Sequence, residues 1–260
     1  MDIETRPHQP IVVVTGASAG IGRGAAIEIA RHGMGVVATY NSRPEAAAQT
    51  VAAIRELGGR AVAVQLDVSR TETFPAFREQ LLAALDAEWG AATVRALVNN
   101  AGFGGGGAFE EMTEGAFDAY YRALFRGPYF LAQTLLPLIE DGGAIVSTGS
   151  SSVRPGDTEA GYSGYAGMKG GLVVASRYLA KELSPRRIRV NTIAPGPTRT
   201  RIGGDAFARH PELAEPLAAR TALGRLGEPD DIGKVIAFLV ADESAWITGQ
   251  DIQVSGGFAL

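Results

Sequence analysis

Short β-branched runs alternate with longer Ala-rich stretches along this sequence of 260 residues, and no other feature constrains the fold as much. Strand candidates are Ile11–Val14, Gly35–Tyr40, Ala61–Leu66, Val94–Val98, Ala144–Ser147, Arg189–Ile193 and Asp251–Val254. Helical spacing marks Ile21–His32, Arg43–Leu57, Glu72–Trp89, Glu114–Ile139, Tyr165–Leu183 and Asp230–Ala241. Strands separated by helices pair in parallel through right-handed βαβ crossovers. The runs are apolar nearly throughout, as burial on both faces of a parallel sheet requires. No linker or internal repeat interrupts them. The expected fold class is therefore α/β, a single domain over residues 1–260 with one doubly wound parallel sheet of about seven strands and helices on both faces.

Composition removes several functions. There is no cysteine, which excludes a disulfide framework, a thiolate metal site and a cysteine nucleophile. The three histidines, His8, His32 and His210, are scattered, so no metal site is expected. A net charge of −4 offers no electrostatic grip on nucleic acid or anionic lipid. The apolar stretch after Pro10 is too brief for a signal-peptide core, and nowhere do 18 apolar residues run together. A cytoplasmic location is the expectation.

The first strand candidate runs into Thr15-Gly16-Ala17-Ser18-Ala19-Gly20-Ile21-Gly22 and then a helix. A glycine-rich turn there presents free N–H groups and a helix dipole to a pyrophosphate, as in Rossmann-like folds. The spacing is G-x-x-x-G-x-G, and the same glycines would also serve tight strand–helix packing. Farther along stand Asn99-Asn100-Ala101-Gly102 after the fourth strand, Tyr165-Ala-Gly-Met-Lys169 opening a helix after the fifth, and Pro195-Gly196 after the sixth. Together, over nearly the whole chain, these motifs resemble the short-chain dehydrogenase/reductase family. The stretch Gly224-Arg-Leu-Gly-Glu-Pro229, Ile247-Thr-Gly-Gln250 and Val254-Ser-Gly-Gly257 resembles its 3-oxoacyl-(acyl-carrier-protein) reductase branch.

Tyr165 and Lys169 lie four apart, on one helix face. An ammonium beside a phenol favours phenolate and lowers its pKa, which suits a general acid–base. The resemblance assigns Tyr165 the proton transfer to the substrate oxygen, and gives Lys169 a bond to the nicotinamide ribose. It assigns Ser150, rather than its neighbours Ser151 and Ser152, the substrate carbonyl. One position departs from the family. Its catalytic Asn on the helix after the fourth strand is Leu124 here, with no Asn between Asn100 and Asn191. A slowed proton relay is expected. Tyr120, one turn earlier, is the nearest polar candidate to replace the Asn, with a packing or surface role as its alternative.

The resemblance places a dinucleotide on Gly16, Ser18, Gly20, Ile21 and Gly22, on Tyr40, Asn41, Ser42 and Arg43, and on Asp67 and Val68. Asn99, Ala101, Gly102, Tyr165, Lys169, Pro195, Gly196, Thr198 and Thr200 complete the expected set. An acid at the end of the second strand would select NAD by accepting from the ribose 2′-OH. From Ile29 to Pro44 the chain has none, and Arg43 suits a phosphate, so NADP (NADPH) is expected over NAD. Arg43 as a solvated helix start and Asp67 as a helix N-cap are the alternatives.

The expected reaction is hydride transfer between nicotinamide and a ketone or secondary alcohol. A 3-oxoacyl thioester is the first substrate expected, with a sugar, polyol or xenobiotic ketone as the alternative. A dinucleotide-binding protein with little or no catalysis is the rival from another class. Gly104–Gly107 is expected beside the nicotinamide as a flexible substrate loop or a plain connection, and Gly203–His210 at the substrate lid. The resemblance further implies a homotetramer, with Phe125, Phe130, Leu172, Val173 and Leu179 as apolar positions in excess of one core-facing stripe.

Overall fold

The computed structural model describes residues 9–201 and 207–260. Its seven strands are β1 Ile11–Val14, β2 Gly35–Tyr40, β3 Ala61–Gln65, β4 Val94–Asn99, β5 Ile139–Thr148, β6 Arg189–Pro195 and β7 Asp251–Val254. All pair in parallel, in the order β3-β2-β1-β4-β5-β6-β7. The long helices are α1 Gly20–Arg31, α2 Pro44–Glu56, α3 Phe74–Trp89, α4 Glu114–Tyr120, α5 Gly127–Leu135 and α6 Ser163–Glu182. The short α7 Ala214–Ala219 and then α8 Pro229–Val240 follow. No described helix is long and apolar enough to cross a membrane, and no described cluster of His, Asp and Glu could hold a metal.

Alternation along β1 builds two core layers. Val12 and Val14 pack with Ile29, Ile232 and Ile236 on the α1–α8 side, while Ile11 and Val13 pack with Phe74, Leu81 and Leu135 on the α3–α5 side. Helices α1 and α8 meet nearly backbone to backbone. A Cβ on Gly24 would stand 2.8 Å from the Pro229 carbonyl, and one on Gly233 would stand 2.7 Å from Gly24.

Two spans depart from the sequence expectation. The helix expected over Glu114–Ile139 is broken: Tyr121–Arg126 is a π-helical turn, after which α5 runs only to Leu135. Pro128 gives the reason, since it has no N–H for the carbonyl of Leu124 and its ring crowds that carbonyl. The Gly127 N–H reaches back to Arg122 instead. Strand β5 starts at Ile139 rather than Ala144, because an irregularity at Gly142-Gly143 lets the strand resume its register with β4. Gly142 has φ +75°, a conformation glycine adopts without strain.

Of the apolar positions expected in excess, Leu172 and Val173 are buried within the domain. The exposed apolar side chains on α5, α6 and the π turn are Tyr121, Tyr129, Phe130, Val174 and Tyr178.

Candidate active site

The chain leaves β1 toward one side of the sheet and β4 toward the other, which opens a crevice beyond their carboxyl ends. A cavity of about 1450 Å³ fills it. Gly16, Ser18, Gly20 and Ile21 form its floor at the start of α1. Gly16, at φ +67°, approaches Ala101 so closely that a Cβ would stand 2.9 Å from the Ala101 Cα. No side chain caps the first N–H groups of α1, because Ala19 holds the N-cap. Free donors, a helix dipole and a side-chain-free cradle fit a pyrophosphate. Gly22 is not part of the cavity wall. A Cβ there would stand 2.4 Å from the Gly16 carbonyl and from the Asn100 amide, so this glycine serves packing.

Asn41, Ser42, Arg43, Asp67 and Val68 line the far end. Arg43 immediately precedes α2 and is exposed, and among the described residues no carboxylate pairs with it. Asp67 accepts from the Ser69 amide at 2.9 Å and its hydroxyl at 2.7 Å, a local turn rather than the N-cap of α3. Two expected residues turn away. Tyr40 is absent from the cavity wall, and its carbonyl accepts from Leu66 in the sheet-edge pairing. Asn99 is buried, with its amide donating to the Pro128 carbonyl at 3.3 Å.

Its neighbour Asn100 lines the cavity instead and joins three strand ends. The Asn100 amide donates to the Thr15 carbonyl (2.9 Å), and the Thr148 hydroxyl donates to Asn100 Oδ1 (3.4 Å). Thr15 Oγ1 accepts from the Asn100 and Ala101 amides at 2.8 and 2.9 Å. Neither Thr15 nor Asn100 is among the sequence-expected residues. A polar side chain at the mouth of an otherwise apolar strand is the signal that marks Thr15.

On the other side of the cavity stand Ser150, Tyr165 and Lys169. Helix α6 carries the last two on one buried face, and Ser150 follows β5. The Ser150 hydroxyl shares a 2.8 Å hydrogen bond with Ser152 and accepts from the Ser152 amide at 3.2 Å. It also lies near enough to the Tyr165 phenol to oppose the effect of burial on it. Ser151 turns instead to Asp157 at 2.5 Å. Lys169 Nζ donates to the Thr148 carbonyl at 2.6 Å and stands 5.9 Å from the centre of the Tyr165 ring. The electrostatics differ from the sequence expectation of a phenol acidified by its lysine. Burial raises the Tyr165 pKa, with the Ser150 hydroxyl pulling the other way, and lowers that of Lys169 to about 8. The ammonium spends its contact on Thr148, so desolvation governs both groups.

Comparison with known proteins gives the family. The family model described as Enoyl-(Acyl carrier protein) reductase matches residues 16–259. The chain belongs to the short-chain dehydrogenase/reductase family. Hydroxynaphthalene reductase-like protein Arp2 of Metarhizium brunneum is 34% identical over 259 residues, covering 95% of this chain and 94% of the relative. The promiscuous reductase LugOII, which catalyses keto-reduction at C1 during lugdunomycin biosynthesis, superposes with a TM-score of 0.92 at 36% identity, over 98% of this chain and 100% of that one. The angucycline C-6 ketoreductase LanV, solved with bound NADP, gives 0.90 at 34% identity, over 96% and 95%.

In this dehydrogenase/reductase the position of the missing Asn is sealed in apolar packing. Leu124 is 1% exposed, packs with Tyr120, Ala123 and Tyr165, and lies so near Gly102 that a Cβ there would meet its Cδ2 at 2.7 Å. Tyr120 is buried too, and its hydroxyl donates to the Gly105 carbonyl at 3.0 Å. Ala101, Gly102, Pro195, Gly196, Thr198 and Thr200 line the middle of the cavity, and the Thr198 hydroxyl donates to the Gly196 carbonyl at 2.9 Å. Phe103, Phe109, Tyr162, Phe207, Leu217 and Phe258 place aromatic and apolar surface on the cavity walls, beside the polar Glu110, Asp157, Glu159 and Arg201. Arg220 closes one rim, with its guanidinium on Glu159 at 2.7 Å and 4.7 Å from the centre of the Phe258 ring. Residues 203–206 of the expected lid lie outside the described residues.

Proposed function

We propose that this chain is an NADPH-dependent ketoreductase whose substrates are flat, ring-fused ketones. The observation that carries the reading is that Ser150, Tyr165 and Lys169 share one cavity with the uncapped glycine turn of α1. NADPH, when bound, supplies the hydride. Gly16, Ser18, Gly20 and Ile21 would hold its pyrophosphate, and Arg43 its 2′-phosphate, with no acid at the end of β2 to repel that charge. Ser150, kept in place by Ser152, donates to the substrate carbonyl. Tyr165 delivers the proton to the carbonyl oxygen, and burial keeps its phenol protonated until that moment. Lys169, held by the Thr148 carbonyl, would hydrogen-bond the nicotinamide ribose.

The aromatic side chains on the walls favour fused rings over a sugar or polyol, and the relatives named above as hydroxynaphthalene reductase-like and angucycline ketoreductases support that class. A 3-oxoacyl thioester is the second reading, favoured by the family-model description. A panel of tetralones, acetoacetyl thioesters and small sugars, with NADPH and with NADH, separates these readings from one another. Tyr165→Phe is expected to bind NADPH normally and lose about 10²–10⁴-fold in turnover. Undiminished activity in that variant would overturn the assignment. The exposed aromatic side chains of α5, α6 and the π turn support a homotetramer.

A further inference from the structure

Phe103, Gly104 and Gly105 of the loop Phe103-Gly104-Gly105-Gly106-Gly107 form one wall of the cavity, which the ketoreductase reading leaves without a support of its own. Support comes from behind. Tyr120, which does not line the cavity, donates its hydroxyl to the Gly105 carbonyl at 3.0 Å and stacks on Phe103 at 5.1 Å and 20°. At the far end the Gly107 N–H donates to the Gly161 carbonyl at 3.0 Å. The loop is thus pinned once to α4 and once to the segment that enters α6. None of these glycines has a positive φ, so conformation does not demand them. Space constrains two of them: a Cβ on Gly105 would stand 3.0 Å from the Tyr120 hydroxyl, and one on Gly106 would stand 3.3 Å from the Tyr162 ring, whereas one on Gly107 would meet nothing within 4 Å.

The geometry points to Tyr120 as a positioning residue that sets the width of the substrate slot by holding Gly105 back, and so selects flat ring-fused ketones over bulkier or smaller ones. This rests on the ketoreductase reading. Tyr120 does not line the cavity, and its ring meets the Tyr165 ring edge-on at 6.3 Å, a contact that Tyr120→Phe keeps. Its hydroxyl acts through Gly105, and the loss of that hydroxyl alone therefore falls on substrate affinity rather than on proton transfer.

The test uses the full-length enzyme with NADPH, 2-tetralone as the fused-ring ketone and ethyl acetoacetate as the small one. Tyr120→Phe keeps the ring stack and removes only the hydroxyl. Its KM for 2-tetralone is expected to rise about two- to tenfold, the span one hydrogen bond commands. The KM for ethyl acetoacetate, kcat for both ketones and the Kd for NADPH are expected to stay within about twofold. Gly105→Ala is expected to raise the 2-tetralone KM alone, but to add little in the Tyr120→Phe background, because the hydroxyl its Cβ would meet is gone. Equal KM changes for both ketones, a loss confined to kcat, or additive effects of the two substitutions would each overturn the proposal. Amide hydrogen exchange over residues 103–107 supplies a readout that needs no turnover, and faster exchange in Tyr120→Phe is expected. Unchanged exchange overturns the tie itself. A wild-type protein that reduces no ketone overturns the ketoreductase reading, and the claim on KM with it, while exchange still decides whether Tyr120 holds the loop.

Discussion

Lys169 should make the fold less stable than it would be without a charge at that position. Its side chain is buried on α6 with one hydrogen bond, to the Thr148 carbonyl, and burial lowers its pKa from 10.5 to about 8. A pH unit corresponds to about 1.4 kcal/mol, so the protonated lysine at pH 7 costs the folded state about 3 kcal/mol relative to the unfolded chain. Lys169→Met keeps an apolar stem of similar length. It removes that cost and forfeits the bond to Thr148, worth about 1 kcal/mol, for a net gain near ~2 kcal/mol. The pH dependence carries the sign. Between pH 8 and 10.5 the unfolded wild type holds a proton that the folded protein has released, so wild-type stability rises with pH there. The advantage of the variant is therefore full below pH 8 and fades toward pH 10.5. The raised Tyr165 phenol acts oppositely at higher pH, but it is common to both proteins. Urea unfolding midpoints without cofactor, at one protein concentration from pH 7 to 10.5, measure the difference. A variant less stable at pH 7, or a gap that stays constant across the range, would refute the argument.

Further outcomes follow from other residues. NADPH is expected to bind more tightly than NADH, and Arg43→Ala to erase most of that preference, about 1.5–3 kcal/mol for one charge-assisted bond; calorimetric titration with each cofactor decides, and equal wild-type affinities would count against Arg43. Leu124→Asn places an amide in an apolar cluster and should lower the urea midpoint by about 1–3 kcal/mol of stability, while raising kcat less than tenfold if the proton relay limits turnover. A variant that binds NADPH normally and is no faster would show that reprotonation does not limit the wild type. Light scattering at micromolar concentration is expected to give a tetramer, and a monomer would leave the exposed aromatic side chains of α5, α6 and the π turn without that explanation.

Strand positions were legible because the central runs β1, β2, β4 and β6 are buried on both sides, which writes the same message at nearly every residue, while the edge strands β3 and β7 are only partly buried. Gly104–Gly107 was legible as a loop, but not what it leans on, since a hydrogen bond from Tyr120 to a glycine carbonyl leaves no pattern in one sequence. That Tyr40 and Asn99 stand off the cavity wall was hidden for a related reason. A motif marks a strand end, and neighbouring residues there point to opposite faces, so Asn100 rather than Asn99 meets the cavity. The break in the helix over Glu114–Ile139 did have a signal, in Pro128, outweighed in the reading by long helical periodicity on both sides. The pKa of Tyr165 could not be read from its spacing to Lys169, because the lysine's nearest acceptor, the Thr148 carbonyl, belongs to a different element.

The glycine contact between α1 and α8 has a consequence in time. The turn that would hold the pyrophosphate is complete in sequence by Gly22, yet its helix leans on Pro229 and Gly233. A ribosome adding about 5–20 residues per second needs roughly 10–40 s to travel from Gly24 to Gly233. Through that interval the α1 face of the sheet lacks α8, and for roughly the first 4–15 s of it β1 also waits for β4 as its second neighbour. The nascent chain therefore gains cofactor affinity near the end of its synthesis, and its earliest apolar residues are the ones exposed longest to other chains.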